Sequence, residues 1–544
     1  MAALLVVTGL SASEAAVLTS VCRAATLWFA VPIGTLHTLV RGANRHLGVA
    51  LAHLARHEMN RELNQLSSPT EHASKIPLCV DLDGTLIRTD LLYESTLRLV
   101  KTNPLLLLQL PFWLVAGKTV LKRRLTERVG LDVTQLPYNE PFVEWLRENA
   151  AHGRRLVLCT ASDERYAQAV AEHLGIFSDV IGSDSSRNNS AHHKAQALVA
   201  RFGRSGFDYA GNSKADLPVW RDARRAILVN TPSPVAAEVR AQGNVDSEFS
   251  ATGTGPSVWC KALRLRQWLK NLLLFLPLLA SHRIAEPELL AQAALAFLAF
   301  GLCASSVYLA NDLLDLENDR QHPRKRLRPF AAGTLSLAWG AALAPILSLV
   351  AFVFAWQVNA KFAMWLGGYF ALTTAYTFLL KRIMLLDSLA LAGLYTLRIV
   401  AGGMAVGVPV SFWLLTFSLF LFLSLAFVKR FTELRVVAGQ GGTIAPGRGY
   451  QTEDAPLVEM FGIASGFTAA LVMAFYINSD AVKRLYADPE WLWLTVPIIV
   501  FWVGWIWLRA HRNEMDDDPV MFATRDRLSL AAGALFAVAI WMAI

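Results

Sequence analysis

Long apolar runs concentrate in the second half of the chain. They recur at 268–281, 287–310, 337–357, 362–380, 386–407, 411–428, 459–478, 491–508 and 528–544. Because about 20 apolar residues cross the hydrocarbon core of a bilayer, such runs are typical of transmembrane helices. The pattern predicts an all-α polytopic membrane domain of nine transmembrane helices over residues 258–544.

The first half of the chain has shorter apolar runs. Residues 76–80 and 155–159 predict buried strands, and helical stretches separate the predicted strands. Strands that alternate with helices indicate an α/β fold with a parallel, Rossmann-like sheet. We therefore expect an α/β domain over residues 76–245, with a helical cap inserted at about 88–150.

The remaining segments carry weaker signals. Residues 1–75 predict a helical N-terminal extension, and residues 246–257, rich in Ser, Thr and Gly, predict a flexible linker. Within the cap, residues 104–115 are almost wholly apolar, and a basic cluster follows them. Two structures remain open for this segment: a buried cap helix, or a helix that enters the membrane interface.

The net charge of +8 comes largely from loops between apolar runs. This distribution favours phosphate-rich substrates and anionic lipid as partners, and it does not indicate nucleic acid. The loops at 313–336, 381–386, 429–458 and 509–527 carry 15 Lys and Arg, whereas the opposite loops carry 4. The positive-inside rule therefore predicts a multi-pass protein of a bacterial-type inner membrane, with its active sites and N-terminal domain in the cytoplasm.

A row of acids ends the second apolar run. Asn311, Asp312, Asp315 and Asp319 have the spacing of one helix face, and five bases follow at 320–328. Carboxylates this close repel each other unless a cation lies between them. Mg²⁺ suits the site because it is typically held by one or two carboxylates and by substrate phosphate oxygens.

This acidic motif resembles the first aspartate-rich motif of the UbiA superfamily of membrane-embedded enzymes. Residues 264–271 (Arg-Leu-Arg-Gln-Trp-Leu-Lys-Asn) and 319–329 (Asp-Arg-Gln-His-Pro-Arg-Lys-Arg-Leu-Arg-Pro) are similar to its decaprenyl-phosphate phosphoribosyltransferase branch. The resemblance implies Mg²⁺-dependent transfer of 5-phosphoribosyl from phosphoribosyl diphosphate to a polyprenyl phosphate. It implies that Asn311, Asp312, Asp315 and Asp319 are catalytic, with the three aspartates as metal ligands.

Further polar residues are candidates for substrate binding. Asp387 and its neighbours are similar to the family's second motif, and residues 429–433 form a third charged cluster. The predicted substrate-binding residues of the membrane domain are Arg266, Lys270, Asn271, Arg320, Lys325, Arg326, Arg328, Tyr376, Lys381, Asp387, Arg398, Lys429 and Arg430.

Two other functions remain open. A UbiA-type enzyme could instead move a prenyl group from a prenyl diphosphate to an aromatic or other small acceptor. The single acid of the second motif, Asp387, counts against that donor, because the prenyl diphosphate branch often has a fuller acidic repeat there. A membrane-tethered scaffold with two degenerate domains is the second alternative.

Four short stretches of the α/β domain contain candidate catalytic residues. Asp81-Leu-Asp83 follows the first strand, Thr160 ends another strand, and Lys194 and the stretch 208–216 come later. Functional residues of parallel sheets gather at the carboxyl ends of the strands, so we expect these residues to lie together. A carboxylate can attack phosphorus, a second can protonate the leaving group, and a hydroxyl and a lysine can hold the phosphoryl oxygens.

These stretches resemble the motifs of the haloacid dehalogenase (HAD) superfamily of phosphatases. The resemblance implies Asp81 as nucleophile, Asp83 as acid and base, Thr160 and Lys194 as phosphate-binding residues, and Asp81, Asp83, Asn212 and Asp216 at Mg²⁺. Asn212 stands where the family usually has an aspartate, and a neutral amide should bind Mg²⁺ more weakly. An active phosphatase and a degenerate structural domain both remain open.

Overall fold

The computed structural model describes residues 76–183, 191–250, 255–445, 447–515 and 518–544. The helical extension predicted for residues 1–75 lies outside the described residues. The described chain contains a parallel sheet with helices and, after it, a helical region.

The sheet has six parallel strands in the order β3-β2-β1-β4-β5-β6. They are β1 (Leu78–Val80), β2 (Leu156–Asp163), β3 (Asp179–Ser183), β4 (Asp208–Gly211), β5 (Ala226–Val229) and β6 (Val245–Phe249). Leu78 pairs with Leu156 on one side and with Asp208 on the other, so β1 is central. All three residues of β1 are fully buried, as expected for a parallel strand covered on both faces. This arrangement confirms the predicted parallel sheet.

Helices flank the sheet and fill the insertion between β1 and β2. The insertion contains α1 (Leu91–Thr102), α2 (Leu110–Val115), α3 (Lys118–Arg128) and α4 (Glu140–Ala151), with 3₁₀ turns at Pro104–Gln109 and Val133–Gln135. The later helices are α5 (Glu164–Leu174), α6 (His192–Phe202), α7 (Leu217–Asp222) and α8 (Ser233–Arg240). The insertion therefore is helical, as the sequence predicted for a cap.

The rest of the described chain is helical. Its helices are α9 (Pro256–Ala262), α10 (Leu276–Ala280), α11 (Pro287–Leu314), α12 (Leu316–Gln321), α13 (Leu337–Val358), α14 (Ala360–Phe378), α15 (Leu386–Val406), α16 (Phe412–Gly439), α17 (Ala455–Ile477), α18 (Asp480–Leu485), α19 (Thr495–His511), α20 (Pro519–Ala523) and α21 (Arg527–Ala543). The 3₁₀ segments are Leu265–Phe275, Lys325–Leu327, Leu380–Arg382, Thr452–Asp454 and Pro489–Leu494.

Six helical stretches of the described chain are long and apolar enough to cross a membrane. They are Pro287–Leu314, Leu337–Val358, Leu386–Val406, Phe412–Gly439, Thr452–Ile477 and Pro489–His511. The other three predicted spans form the 3₁₀ segment Leu265–Phe275 with α10, the helix α14, and the 17-residue helix α21. The structure thus gives six candidate spans where the apolar pattern predicted nine.

A close helix contact holds the 3₁₀ segment Leu265–Phe275 in place. A Cβ added at Gly402 of α15 would overlap the main-chain oxygen of Leu274. Glycine at this position lets the two backbones approach each other, as small residues do in membrane helix packing. The contact fixes the segment that carries Lys270 and Asn271 against α15.

Candidate active sites

The aspartate-rich motif lies where α11 ends. Asp312 is in the last turn of α11, Asp315 is the residue after its end, and Asp319 is in α12. Asp312 is 2% exposed and Asp319 is 3% exposed. Two ionised carboxylates at this depth need a nearby positive charge, because burial removes their hydration.

Arg328 supplies that charge to both carboxylates. Its Nη1 donates to Asp312 Oδ1 at 3.1 Å and to Asp319 Oδ2 at 2.6 Å. Arg264 also donates to Asp312, and its guanidinium lies 4.8 Å from the centre of the Tyr308 ring. The sequence predicts Arg328 only as a phosphate ligand and predicts no role for Arg264, because ion pairs across 16 and 48 residues leave no local pattern.

Asp315 and Asn311 make different contacts from this pair. Asp315 is 3.7 Å from Lys381 Nζ, and Asn311 lines a mostly apolar cavity of 720 Å³ between α11, α13 and α14. Helix α11 ends at Leu314, but the Asp315 N–H donates to the Asn311 carbonyl and the Asp319 N–H donates to the Asp315 carbonyl, so the helical hydrogen-bond spacing continues across the motif. That all four side chains share one face stays a prediction.

A second charged cluster surrounds Asp387. This fully buried carboxylate lies 2.6 Å from Arg430 and 3.6 Å from Arg448, and it accepts a hydrogen bond of 2.8 Å from Tyr450. The Tyr376 hydroxyl accepts hydrogen bonds from both arginines. Asp387 therefore holds two guanidinium groups side by side.

A third cluster lies on the segment Leu265–Phe275. Lys270 pairs with Asp518, and Asn271 Oδ1 accepts a hydrogen bond of 3.0 Å from buried Arg398. Arg398 also donates to Tyr369 and lies over three aromatic rings. Among the described residues, the buried Asn271 Nδ2 has no hydrogen-bond partner. Asn271 thus has a free donor for a ligand, whereas Arg398 positions Asn271.

Electrostatic contacts connect the three clusters. Lys325 interacts with Asp319 and with Glu433, and Glu433 pairs with both Arg430 and Arg448. The Lys429 ammonium is repelled by the charges of Arg430 and Lys270 and attracted by Asp518. The structure therefore brings several of the predicted phosphate ligands within electrostatic reach of one another, and Arg266 and Arg326, like Lys325, are exposed.

Arg320 faces the inserted helices. It makes a bidentate ion pair with Glu94 of α1, at 2.6 and 3.2 Å, and Thr89 also donates to Glu94. The side chains of Arg320 and Glu94 are only 8% and 4% exposed. The predicted phosphate ligand Arg320 is thus engaged by the α/β part of the chain, through a contact that spans 226 residues.

The second candidate site lies at the carboxyl edge of the sheet. Lys194 Nζ donates to Asp81 Oδ1 at 2.7 Å, and Asp83 Oδ2 accepts hydrogen bonds from Ser162 at 2.5 Å and Thr160 at 3.5 Å. These contacts bring Asp81, Asp83, Thr160 and Lys194 together. Ser162 carries a contact that the sequence analysis did not assign.

Asp216 holds its own loop and also lies 3.6 Å from Lys194 Nζ. Its Oδ2 accepts hydrogen bonds from the main chain of Asn212 and from Ser213, and its Oδ1 accepts one of 2.7 Å from Tyr209. These bonds fix the loop so that the Asn212 amide packs on Gly84, where a Cβ would overlap the amide. Gly84 also has a φ of +78°, which favours glycine.

The ionisation of this site suits acid and base chemistry. Desolvation by burial, reinforced by the Asp90 carboxylate, raises the pKa of Asp83 to about 6. Burial disfavours the charge of Lys194, but the Asp81 and Asp216 carboxylates raise its pKa, so the ammonium stays protonated. The site therefore combines a fixed cation with a carboxyl group that can exchange a proton near neutral pH.

The oxygen donors of both sites are compatible with Mg²⁺. Among the described residues, no group of three or more His, Cys, Asp or Glu side chains is arranged to hold a metal ion. Mg²⁺ needs only one or two protein carboxylates when substrate phosphates complete its shell. The buried pair Asp312 and Asp319 fits that requirement, and in the α/β domain so does the buried carboxylate of Asp81.

Comparisons with known proteins give matches for both parts of the chain. Residues 273–439 match the UbiA prenyltransferase family, and residues 78–221 match haloacid dehalogenase-like hydrolases. Uncharacterized protein y4nM of Sinorhizobium fredii is 38% identical over 474 residues, which cover 86% of this chain and 91% of that protein. The chain belongs to the UbiA prenyltransferase family and carries a haloacid dehalogenase-like domain before its UbiA domain.

Two further relatives are similar to the UbiA part. The decaprenyl-phosphate phosphoribosyltransferase of Mycolicibacterium smegmatis is 39% identical over 188 residues, which cover 34% of this chain and 59% of that protein. A solved UbiA homolog from Archaeoglobus fulgidus, bound to GPP and Mg²⁺, has 16% identity and a TM-score of 0.41, covering 52% of this chain and 96% of that one. The family and the six candidate spans make the protein an integral membrane protein.

The buried pair of Glu94 and Arg320 should stabilise the folded chain. Glu94→Gln leaves the Arg320 charge buried without its carboxylate, so we expect a loss of about 3–5 kcal/mol. Arg98→Gln removes a partly exposed pair with Glu317 and should cost at most about 1 kcal/mol. Unfolding of the full chain in detergent, followed by fluorescence, measures both.

A double variant provides the control for this prediction. Glu94→Leu combined with Arg320→Leu removes both charges, so it should be more stable than Glu94→Gln alone. Equal unfolding temperatures for Glu94→Gln and Arg98→Gln would show that the buried pair contributes no special stability.

Proposed function

We propose that the UbiA domain transfers 5-phosphoribosyl from phosphoribosyl diphosphate to a polyprenyl phosphate, on the cytoplasmic side of a bacterial-type inner membrane. The observation that carries this proposal is the buried pair Asp312 and Asp319, bridged by Arg328 where a candidate span ends. The decaprenyl-phosphate phosphoribosyltransferases among the relatives support the choice of donor and acceptor.

Asp312 and Asp319 would hold Mg²⁺ against the diphosphate of the donor. Bound there, Mg²⁺ would neutralise charge on the diphosphate. Arg264 and Arg328 already contact these carboxylates and have further donors for phosphate oxygens. Lys381, beside Asp315, and the exposed Lys325 add positive charge at the same edge.

The transfer exchanges one bond at the ribosyl C1 for another. The C1–O bond to diphosphate breaks as a C1–O bond to the lipid phosphate forms, and diphosphate leaves with the electron pair. The lipid phosphate is already an anion, so the step needs no general base. Fixed cationic side chains beside the leaving diphosphate lower the barrier because negative charge develops there.

The cationic clusters beside Asp387 and Asn271 suit the other phosphates. Arg430 and Arg448 both pair with Asp387 and Glu433, and Asn271 has an unpaired buried donor. We assign the 5-phosphate of the donor and the phosphate of the lipid to this region. The apolar cavity beside Asn311 can take part of the polyprenyl chain.

Asp319→Asn should lower transfer by at least about 100-fold, because it removes half of the charge that holds the donor complex. Membranes carrying the full chain, supplied with polyprenyl phosphate and labelled phosphoribosyl diphosphate, give the rate by lipid extraction. Glu317→Gln, two residues away and paired with Arg98, is the matched control and should keep its activity.

The same assay distinguishes the alternative donor. Transfer from labelled prenyl diphosphate to a small acceptor, without transfer from phosphoribosyl diphosphate, would replace the phosphoribosyl proposal by a prenyltransferase. Full phosphoribosyl transfer by Asp319→Asn would contradict the role of the carboxylate pair.

We propose that the HAD-like domain then removes the 5-phosphate of the lipid product. Asp81 would attack phosphorus as the P–O5 bond breaks, Asp83 would protonate the departing O5 so that it leaves as a hydroxyl, and Lys194 would hold the phosphoryl oxygens. Water would then hydrolyse the aspartyl phosphate. Tethering both sites in one chain gives the second step a high effective substrate concentration.

Asp81→Asn should abolish phosphate release from the lipid product and leave the phosphoribosyl transfer intact. The measurement follows inorganic phosphate and labelled lipid in the same membranes. Asn212→Asp is the informative partner variant, because it adds a carboxylate charge and should lower the Mg²⁺ concentration needed for release. Phosphate release that persists in Asp81→Asn would contradict the proposed second step.

A further inference from the structure

The apolar segment of the cap presents hydrophobic side chains on two opposite faces. On the inner face, Leu106, Leu110 and Trp113 pack against a cluster formed by α1 and α3. On the outer face, large side chains are exposed by 53–89%: Leu105, Leu108, Phe112, Leu114 and Val115. The contacts with α1 and α3 therefore bury only the inner face of the segment and leave the apolar outer face exposed.

The segment begins beside the edge of the membrane domain. Helix α1, which leads into it, pairs with Glu317 through Arg98 and with Arg320 through Glu94. Glu317 and Arg320 follow the end of the candidate span at Leu314 by three and six residues, about 5–9 Å along a helix. Lys101, in the last turn of α1, interacts with Asp315, directly after the same span.

Both ends of α1 thus lie at the level where α11 ends. The 3₁₀ turn of the apolar segment starts at Pro104, three residues after Lys101. Three residues extend at most about 10 Å, so the segment starts close to the end of α1 that Asp315 attracts. This position makes lipid the nearest large apolar partner.

The basic side chains next to the segment also favour lipid as its partner. Helix α3, which follows it, exposes Arg123 and Arg124, and Arg128 lies 4.8 Å from the centre of the Trp113 ring. Basic side chains beside an apolar helix are attracted to anionic lipid headgroups. Glu127 is the single acid of α3.

We propose that residues 104–115 form a lipid-docking element that inserts the outer face of the cap into an anionic bilayer surface. Lys122 of α3 reaches from the cap to the Ala161 carbonyl at 2.6 Å, beside Thr160 and Ser162. The docked cap therefore holds the HAD-like site at the membrane surface, where a lipid-linked phosphate is accessible. The docking does not depend on which phosphate ester the site hydrolyses.

Spin-label accessibility in the full chain tests this proposal. In a background with Cys22→Ser and Cys260→Ser, the remaining cysteines are buried, and Phe112→Cys carries the nitroxide. The matched control is Arg204→Cys, because Arg204 has a 79% exposed side chain and follows the end of α6 opposite Lys194, away from the cap. The chain is reconstituted in nanodiscs that contain anionic phosphatidylglycerol.

Lipid, water and protein give different collision signatures. Lipid insertion predicts a several-fold higher ratio of oxygen to nickel-chelate collisions at position 112 than at position 204. A ratio at position 112 equal to that of the control means exposure to water and overturns the proposal. Low collision rates for both reagents mean a protein partner, such as a second copy, and also overturn it.

A charge reversal tests the role of the anionic lipid. Arg123→Glu with Arg124→Glu should lower the oxygen-to-nickel ratio at position 112 in phosphatidylglycerol nanodiscs. The same reversal should have a smaller effect in nanodiscs of zwitterionic phosphatidylcholine. Equal effects in the two lipids would contradict the assignment of an anionic surface.

Discussion

Two buried carboxylates at the end of a candidate membrane span require a cation, and the chain around them is arranged to supply one. Arg328 bridges Asp312 and Asp319 with a single nitrogen, and Arg264 adds a second contact to Asp312. Without these cations, both acids would lose their hydration without compensation. The proposed binding site for a metal diphosphate would thus rest on a carboxylate pair that is balanced by side chains with further donors for phosphate.

The same short helix connects the two parts of the protein. On α12, Asp319 faces Arg328, and the next residue, Arg320, makes its buried ion pair with Glu94. Glu94 lies on α1, whose first residue, Leu91, donates its main-chain N–H to Asp83. A continuous series of contacts therefore leads from the aspartate-rich motif to the candidate phosphatase site. These contacts join the two domains of the chain.

Local sequence patterns predicted the helices and strands better than the ion pairs between them. The parallel sheet and the helical cap insertion were predicted from alternating apolar runs, and the four HAD-like stretches predicted a site where Asp81, Thr160 and Lys194 meet. The ion pairs of Arg328 and Arg320 were not predicted, because they depend on tertiary contacts. The one-residue break at Asp315 between α11 and α12 has no Gly or Pro signal in the sequence.

Binding of diphosphate to the full chain tests the central claim most directly. The account predicts that diphosphate binds in detergent only when Mg²⁺ is present, and that Asp312→Asn and Asp319→Asn each abolish this Mg²⁺-dependent binding, as measured by isothermal titration calorimetry. Diphosphate binding that is independent of Mg²⁺ and unchanged in both variants would contradict the claim that the buried carboxylate pair holds the metal complex.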